Sequence, residues 1–193
     1  MMDFISRIIL KIMGWKVVGT FPPEIKKCIL IAAPHTSMWD FILGRLAFYR
    51  FGIKVKFLIK VELFRFPFGG LLKSLGGIPV NRGKKNNMVD YVAEQLINSE
   101  KLIIVITPEG TRKYNAHWKK GFYHIALRAN VPLVMAFIDY KKKEGGVGGI
   151  LYPSGNFEED FKTIEDFYSG CNAKYPEKYN LSEMYKDKHK KIV

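Results

Sequence analysis

Cysteine is nearly absent from this chain, acidic residues are outnumbered, and no apolar run is long enough to cross a membrane. The two cysteines, Cys28 and Cys171, stand at unrelated positions among 193 residues. That excludes a disulfide framework and a zinc ribbon and suits a reducing cytoplasm. A spanning helix needs about 20 consecutive apolar residues, whereas the uncharged stretch Cys28–Trp39 is short and broken by Pro34. No signal peptide is expected, because Arg7 and Lys11 interrupt the first apolar residues. The chain lacks a Gly-x-Ser-x-Gly elbow that would present a nucleophilic serine. It also lacks a zinc-finger, aromatic RNA-platform or helix-turn-helix signature, so nucleic acid has only charge in its favour. There is no internal repeat and no linker.

What is present is positive charge. Thirty-one lysines and arginines against 18 acidic residues give a net charge of +13. Phosphorylated substrates on an anionic membrane would use that charge. With 48% hydrophobic residues, residues 1–193 are expected to form a single domain with a sizeable core.

The pattern alternates strands and helices. Phe4, Ile5, Ile8, Ile9, Ile12 and Met13 fall at helical spacing, with Arg7 and Lys11 among the polar positions. This predicts an amphipathic helix within residues 1–14, fit either to lie in a membrane interface or to pack on the core. Strands are predicted at Ile29–Ala33, Val55–Ile59, Ile78–Val80, Leu102–Ile106 and Leu133–Ile138. Helices are predicted at Met38–Phe51, Gly69–Ser74, Asn86–Asn98, Trp118–Ala129 and Phe157–Tyr168. Lys141–Lys143 and the glycines from Gly145 to Gly149 read as a turn before a last strand, Ile150–Tyr152. A basic tail, 186–193, ends the chain. The alternation gives an α/β class, a single domain with a largely parallel mixed sheet flanked by helices.

Two polar segments follow predicted strands: His35-Thr36-Ser37-Met38-Trp39-Asp40 after Ile29–Ala33, and Pro108-Glu109-Gly110-Thr111-Arg112 after Leu102–Ile106. The carboxyl edge of an open α/β sheet is where ligands bind. His35 and Asp40 cannot face each other on a regular element: on a helix they lie about 140° apart, and on a strand they point to opposite faces. They meet only if His35 sits in a turn and Asp40 in the first turn of the next helix, a break that Pro34 and the N-cap candidates Thr36 and Ser37 supply. An imidazole held by a carboxylate is a general base. Cys28 lies within a strand and Cys171 in a distant polar region, so neither is an obvious partner; a substrate hydroxyl attacking an activated acyl group remains. Ser37-x-x-Asp40 is also a capping-box pattern, and both roles can coexist. His117 and His124, flanking Trp118–Phe122, read as structural.

His-x4-Asp, then Gly76-Gly77-Ile78-Pro79-Val80-Asn81-Arg82, then Pro-Glu-Gly-Thr-Arg, then Val131-Pro132-Leu133-Val134 resembles, in composition and order, the glycerolipid acyltransferase family that includes 1-acylglycerol-3-phosphate acyltransferases. The blocks span roughly Leu30 to Tyr140. The resemblance implies an acyltransferase-like fold in which His35 is the base on the acceptor hydroxyl and Asp40 orients it. It implies that Arg82, Glu109, Gly110, Thr111 and Arg112 help form the acceptor and phosphate site. It further implies a lysophospholipid acceptor, an acyl thioester of coenzyme A or acyl carrier protein as donor, no tightly bound cofactor and no metal. Ala33-Pro34, Asn81 and Thr107 depart from residues common in the family and leave the reaction type intact. The expected place is the cytoplasm, peripheral on the inner face of the membrane. The alternatives are N- or O-acylation of an amino-acid lipid or other non-glycerol acceptor, and a basic lipid- or nucleic-acid-binding module without turnover.

Overall fold

A computed structural model of the chain describes residues 2–81 and 85–181. Arg82 and the tail 186–193 lie outside the described residues. The elements run α1 (Met2–Ile12), β1 (Lys16–Val18), β2 (Lys27–Ala33), α2 (Met38–Arg50), β3 (Val55–Lys60), a 3-10 turn (Val61–Phe64), α3 (Gly69–Ser74) and β4 (Gly77–Val80). They continue with α4 (Lys85–Ile97), β5 (Leu102–Ile106), α5 (Gly121–Ala129), β6 (Leu133–Asp139), β7 (Glu144–Leu151) and α6 (Phe157–Tyr168), followed by a 3-10 turn at Pro176–Lys178.

The seven strands form one mixed sheet in the order β1-β7-β6-β2-β5-β3-β4. The five strands from β6 to β4 are mutually parallel. β7 runs antiparallel to β6, and β1 lies parallel to β7. The central strands are apolar on both faces, as a doubly covered parallel sheet requires. Alternate residues divide between two cores. Ile29, Ile31 and Ala33 of β2 pack with Ile104, Leu133 and Met135 under α4, α5 and α6. Cys28 and Leu30 pack with Ile103, Val105 and Val134 under Phe48 of α2.

Three stretches differ from the sequence expectation. The Gly145–Gly149 segment is not a turn but the body of β7, which begins at Glu144. Its glycines allow close approach: a Cβ at Gly146 would lie 2.0 Å from the Val18 carbonyl oxygen, and one at Gly149 would lie 2.4 Å from Met135 Cε. The turn is confined to the lysines before it, with Lys143 in the left-handed region (φ 52°). β1, three residues long, has no counterpart in the expectation. The helix expected from Trp118 starts at Gly121 instead, because Trp118 is buried in the core and the Lys119 N–H is taken by the Pro108 carbonyl (2.8 Å).

α1 packs on α2 through Leu10, which joins Leu43 and Leu46, and Asp3 pairs with Arg50. The opposite side stays in solvent, with Phe4 65% and Ile12 80% exposed. The core-packing reading of this helix holds for its Leu10 side, and its other side carries exposed apolar residues. No helix among the described residues is long and apolar enough to cross a membrane.

Candidate active site

β2 and β5 are parallel neighbours, with Ile31 beside Ile106. Their carboxyl ends therefore lie side by side, although the loops that follow are far apart in sequence. After β2 the chain turns to the α2 face, and after β5 it turns to the α5 face, so a crevice opens between the two loops.

At the β2 end, Ser37 has extended backbone (φ −143°, ψ 159°) and caps α2, accepting from the Trp39 N–H. Asp40, at the third helical position, closes the capping box. Its Oδ2 accepts from the N–H groups of Thr36 and Ser37, both at 2.7 Å, and lies 3.4 Å from His35 Nδ1. Its Oδ1 accepts from the Tyr140 hydroxyl at 2.6 Å. Burial alone would raise this carboxyl. The contacts with His35, Tyr140 and Ser37 outweigh it and hold Asp40 below the usual carboxylate range. The same carboxylate thus fixes the helix start and faces the imidazole.

At the β5 end, the loop folds on itself: the Gly110 N–H donates to the Thr107 carbonyl, and the Asn115 amide to the Glu109 carbonyl. Gly110 has φ +67°, and the Lys119 side chain lies where a Cβ would sit. Thr111, half-buried, accepts from the Lys113 N–H, and Arg112 is exposed.

Glu109 is placed differently from its neighbours. It is buried, and its Oε1 accepts from the His35 backbone N–H at 2.9 Å. It braces the β2–α2 turn from beneath, while Gly110, Thr111 and Arg112 line the crevice. Its other oxygen has no partner among the described residues. Burial pushes this carboxyl up to about 7, against the opposing pull of the His35 N–H.

The crevice opens into a cavity of about 950 Å³. His35 and Asp40 line it with Gly110, Thr111 and Arg112. Lys60 and Lys119, which the sequence reading did not single out, add cations to this rim. Beneath α2 the walls are apolar, with Leu43, Ala47, Phe48 and Phe57. The other candidates stay apart. His117 and His124 are exposed and do not line the cavity. Burial raises Cys28 to about 12 and Cys171 to about 11, so neither thiol ionises at neutral pH. Tyr140 was not legible in the sequence, because nothing in the chain links it to a carboxylate 100 residues away.

The architecture is a doubly wound sheet with a His/Asp turn and a cationic loop side by side at its switch point. The Acyltransferase family profile matches residues 16–139, more than half of the chain, and the chain belongs to that family. A sequence comparison with curated proteins finds no match. Among solved structures, the chain is similar to the crystal structure of the 1-acyl-sn-glycerophosphate (LPA) acyltransferase PlsC from Thermotoga maritima. The TM-score is 0.61 at 20% identity, covering 86% of this chain and 74% of that one.

Proposed function

We propose that this acyltransferase moves a fatty acyl group from a thioester of coenzyme A or acyl carrier protein to a hydroxyl of a lysophospholipid such as 1-acylglycerol-3-phosphate. The observation that carries this reading is the imidazole of His35, 3.4 Å from a carboxylate fixed by three hydrogen bonds, at the mouth of a cavity that is cationic at its rim and apolar within. Asp40 holds the Nδ1 side of the ring, leaving Nε2 as the basic atom. Nε2 takes the acceptor's hydroxyl proton as its oxygen attacks the thioester carbonyl. The C–O bond forms, the C–S bond breaks through a tetrahedral oxyanion, and the proton passes from imidazolium to the departing thiolate. Such a base contributes about 10²–10⁴ in rate.

Arg112 and the Gly110–Thr111 backbone suit the acceptor phosphate, with Arg82 added on the strength of its sequence motif. Glu109 serves the site through the His35 turn. The apolar walls beneath α2 suit an acyl chain. For place, the exposed side of α1 and the apolar segment between β3 and β4 suit the surface of an anionic membrane, reached from the cytoplasmic side.

The test is thiol release from an acyl thioester in the presence of a mixed lysolipid pool, with mass spectrometry of the products. Phosphorylated lysolipids acylated through an ester are expected. Amide products would favour an amine acceptor, and binding without thiol release would overturn the reading.

A further inference from the structure

The proposed base rests on Asp40, and Asp40 has two oxygens with different neighbours. Oδ2 is held by its own turn, through the Thr36 and Ser37 N–H groups. Oδ1 is held from outside that turn by the Tyr140 hydroxyl at 2.6 Å. Two N–H donors on one oxygen leave the carboxylate free to swing about that oxygen. A donor on the other oxygen removes the swing and sets the plane in which Oδ2 faces His35 Nδ1.

Tyr140 is itself held from several sides. It follows β6, whose carboxyl end lies beside that of β2, with Ala33 next to Phe137. Its backbone N–H donates to the Asn172 carbonyl (2.9 Å). Its ring meets Trp15 edge-on, centroids 5.0 Å apart, in the small core that Leu10 of α1 shares with Leu43 and Leu46 of α2. Burial, then donation to Asp40, pushes the phenol's ionisation far up, so the hydroxyl stays a donor at every working pH. Tyr140 does not line the cavity; it stands behind Asp40, just past the end of the family match at residue 139.

We propose that Tyr140 is a positioning residue of the active site: its hydroxyl fixes the Asp40 carboxylate in the orientation that holds His35, and the Trp15 contact fixes the hydroxyl. The inference rests on the base assigned to His35. It adds a third member, reached from the opposite side of the carboxylate, and it places residues of the α1–β1 junction one contact further out.

The experiment compares wild type, Tyr140→Phe and Tyr140→Leu, and places Tyr140→Phe also in an Asp40→Asn background. Tyr140→Phe keeps the ring on Trp15 and removes only the donor. It should lower kcat about 5- to 10-fold with KM within about twofold and Tm nearly unchanged. In Asp40→Asn, adding Tyr140→Phe should cost less than about twofold, because the group it positions is already altered. Tyr140→Leu should show the same kcat loss with a lower Tm, separating hydroxyl from ring. A readout independent of turnover is amide hydrogen exchange at Thr36 and Ser37, the N–H groups on Oδ2. Exchange there should speed up several-fold in Tyr140→Phe while the rest of α2 is unchanged. Unchanged kcat and exchange, or an equal kcat loss in both backgrounds, would overturn the role. Absence of thiol release by wild type would instead count against the acyl-transfer reading, and the exchange result would still decide whether Tyr140 positions Asp40.

Discussion

Two segments leave the same edge of the sheet and are built in opposite ways. The turn from His35 to Asp40, after β2, is dense with directional contacts: Asp40 takes three hydrogen bonds, the Ser37 side chain takes another, and the backbone of His35 is bound to Glu109. The segment from Val61 to Ser74, after β3, is joined mainly through its own backbone, with the Arg45 guanidinium reaching the Leu75 carbonyl just beyond it. It turns Phe66, 98% exposed, and Phe68, 62% exposed, to the outside, beside Arg65 and Lys73. Proton transfer needs an atom held to a fraction of an ångström. Contact with a lipid surface needs only apolar area and charge. On the proposed function the contrast sets positioning against lipid contact, and each half can be tested without the other.

The largest effect is expected at the turn. His35→Ala should lower kcat by about 10²-fold or more with the protein still folded, and Asp40→Asn should lose as much or less. Steady-state rates with circular dichroism check this; near-normal turnover by a folded His35→Ala protein would remove the base from the scheme.

Next is the brace beneath it. Glu109 titrates in the unfolded chain near 4.5 and in the folded protein at about 7. Because the folded value is the higher one, the neutral carboxyl's contribution to stability is complete below pH 4.5 and disappears as pH rises through 7. Glu109→Gln keeps an acceptor for the His35 N–H and cannot ionise. Relative to wild type it should gain roughly 2–3 kcal/mol between pH 4.5 and pH 8, measured by urea unfolding. A difference independent of pH would show that Glu109 does not carry this burden.

At the rim, Arg112→Ala should reduce kcat/KM about 10- to 100-fold for a phosphorylated lysolipid, from a contact worth about 1.5–3 kcal/mol, and far less for an unphosphorylated alcohol. Equal losses on both acceptors would assign Arg112 to the donor or to the scaffold.

The smallest effect is expected at the exposed apolar segment from Val61 to Ser74. Phe66→Ser with Phe68→Ser should weaken sedimentation with anionic vesicles about 5- to 10-fold, leaving Tm and turnover of a soluble short-chain substrate nearly unchanged. Unchanged vesicle binding would break the comparison on its adhesive side.

How much of this the sequence carried follows the same division. Leu102–Ile106, Gly69–Ser74 and Phe157–Tyr168 were readable because apolar runs and helical spacing state their own period, and the structure has the same bounds. β7 was hidden because its glycines carry turn chemistry; what makes them a strand is the backbone of Val18 and the side chain of Met135 pressing close. The meeting of His35 with Asp40 was legible from proline and N-cap residues within one turn. The place of Glu109 was not, since whether a loop carboxyl faces a cavity or a backbone N–H depends on which strands become neighbours. Tyr140 was invisible for the same reason. Arg82, quoted from its motif, falls outside the described residues.

The double duty of Asp40 has a further consequence. The carboxylate that closes the first turn of α2 is also the one that faces His35, so on the proposed mechanism fraying of that turn and loss of the base would be a single event. Helix ends open far more often than whole domains do. An opened first turn would leave the sheet, both cores and the cavity in place while the imidazole stood without its partner. On the proposed mechanism the working fraction would be set by a local equilibrium at one helix end, and activity is expected to fall with rising temperature before the fold melts.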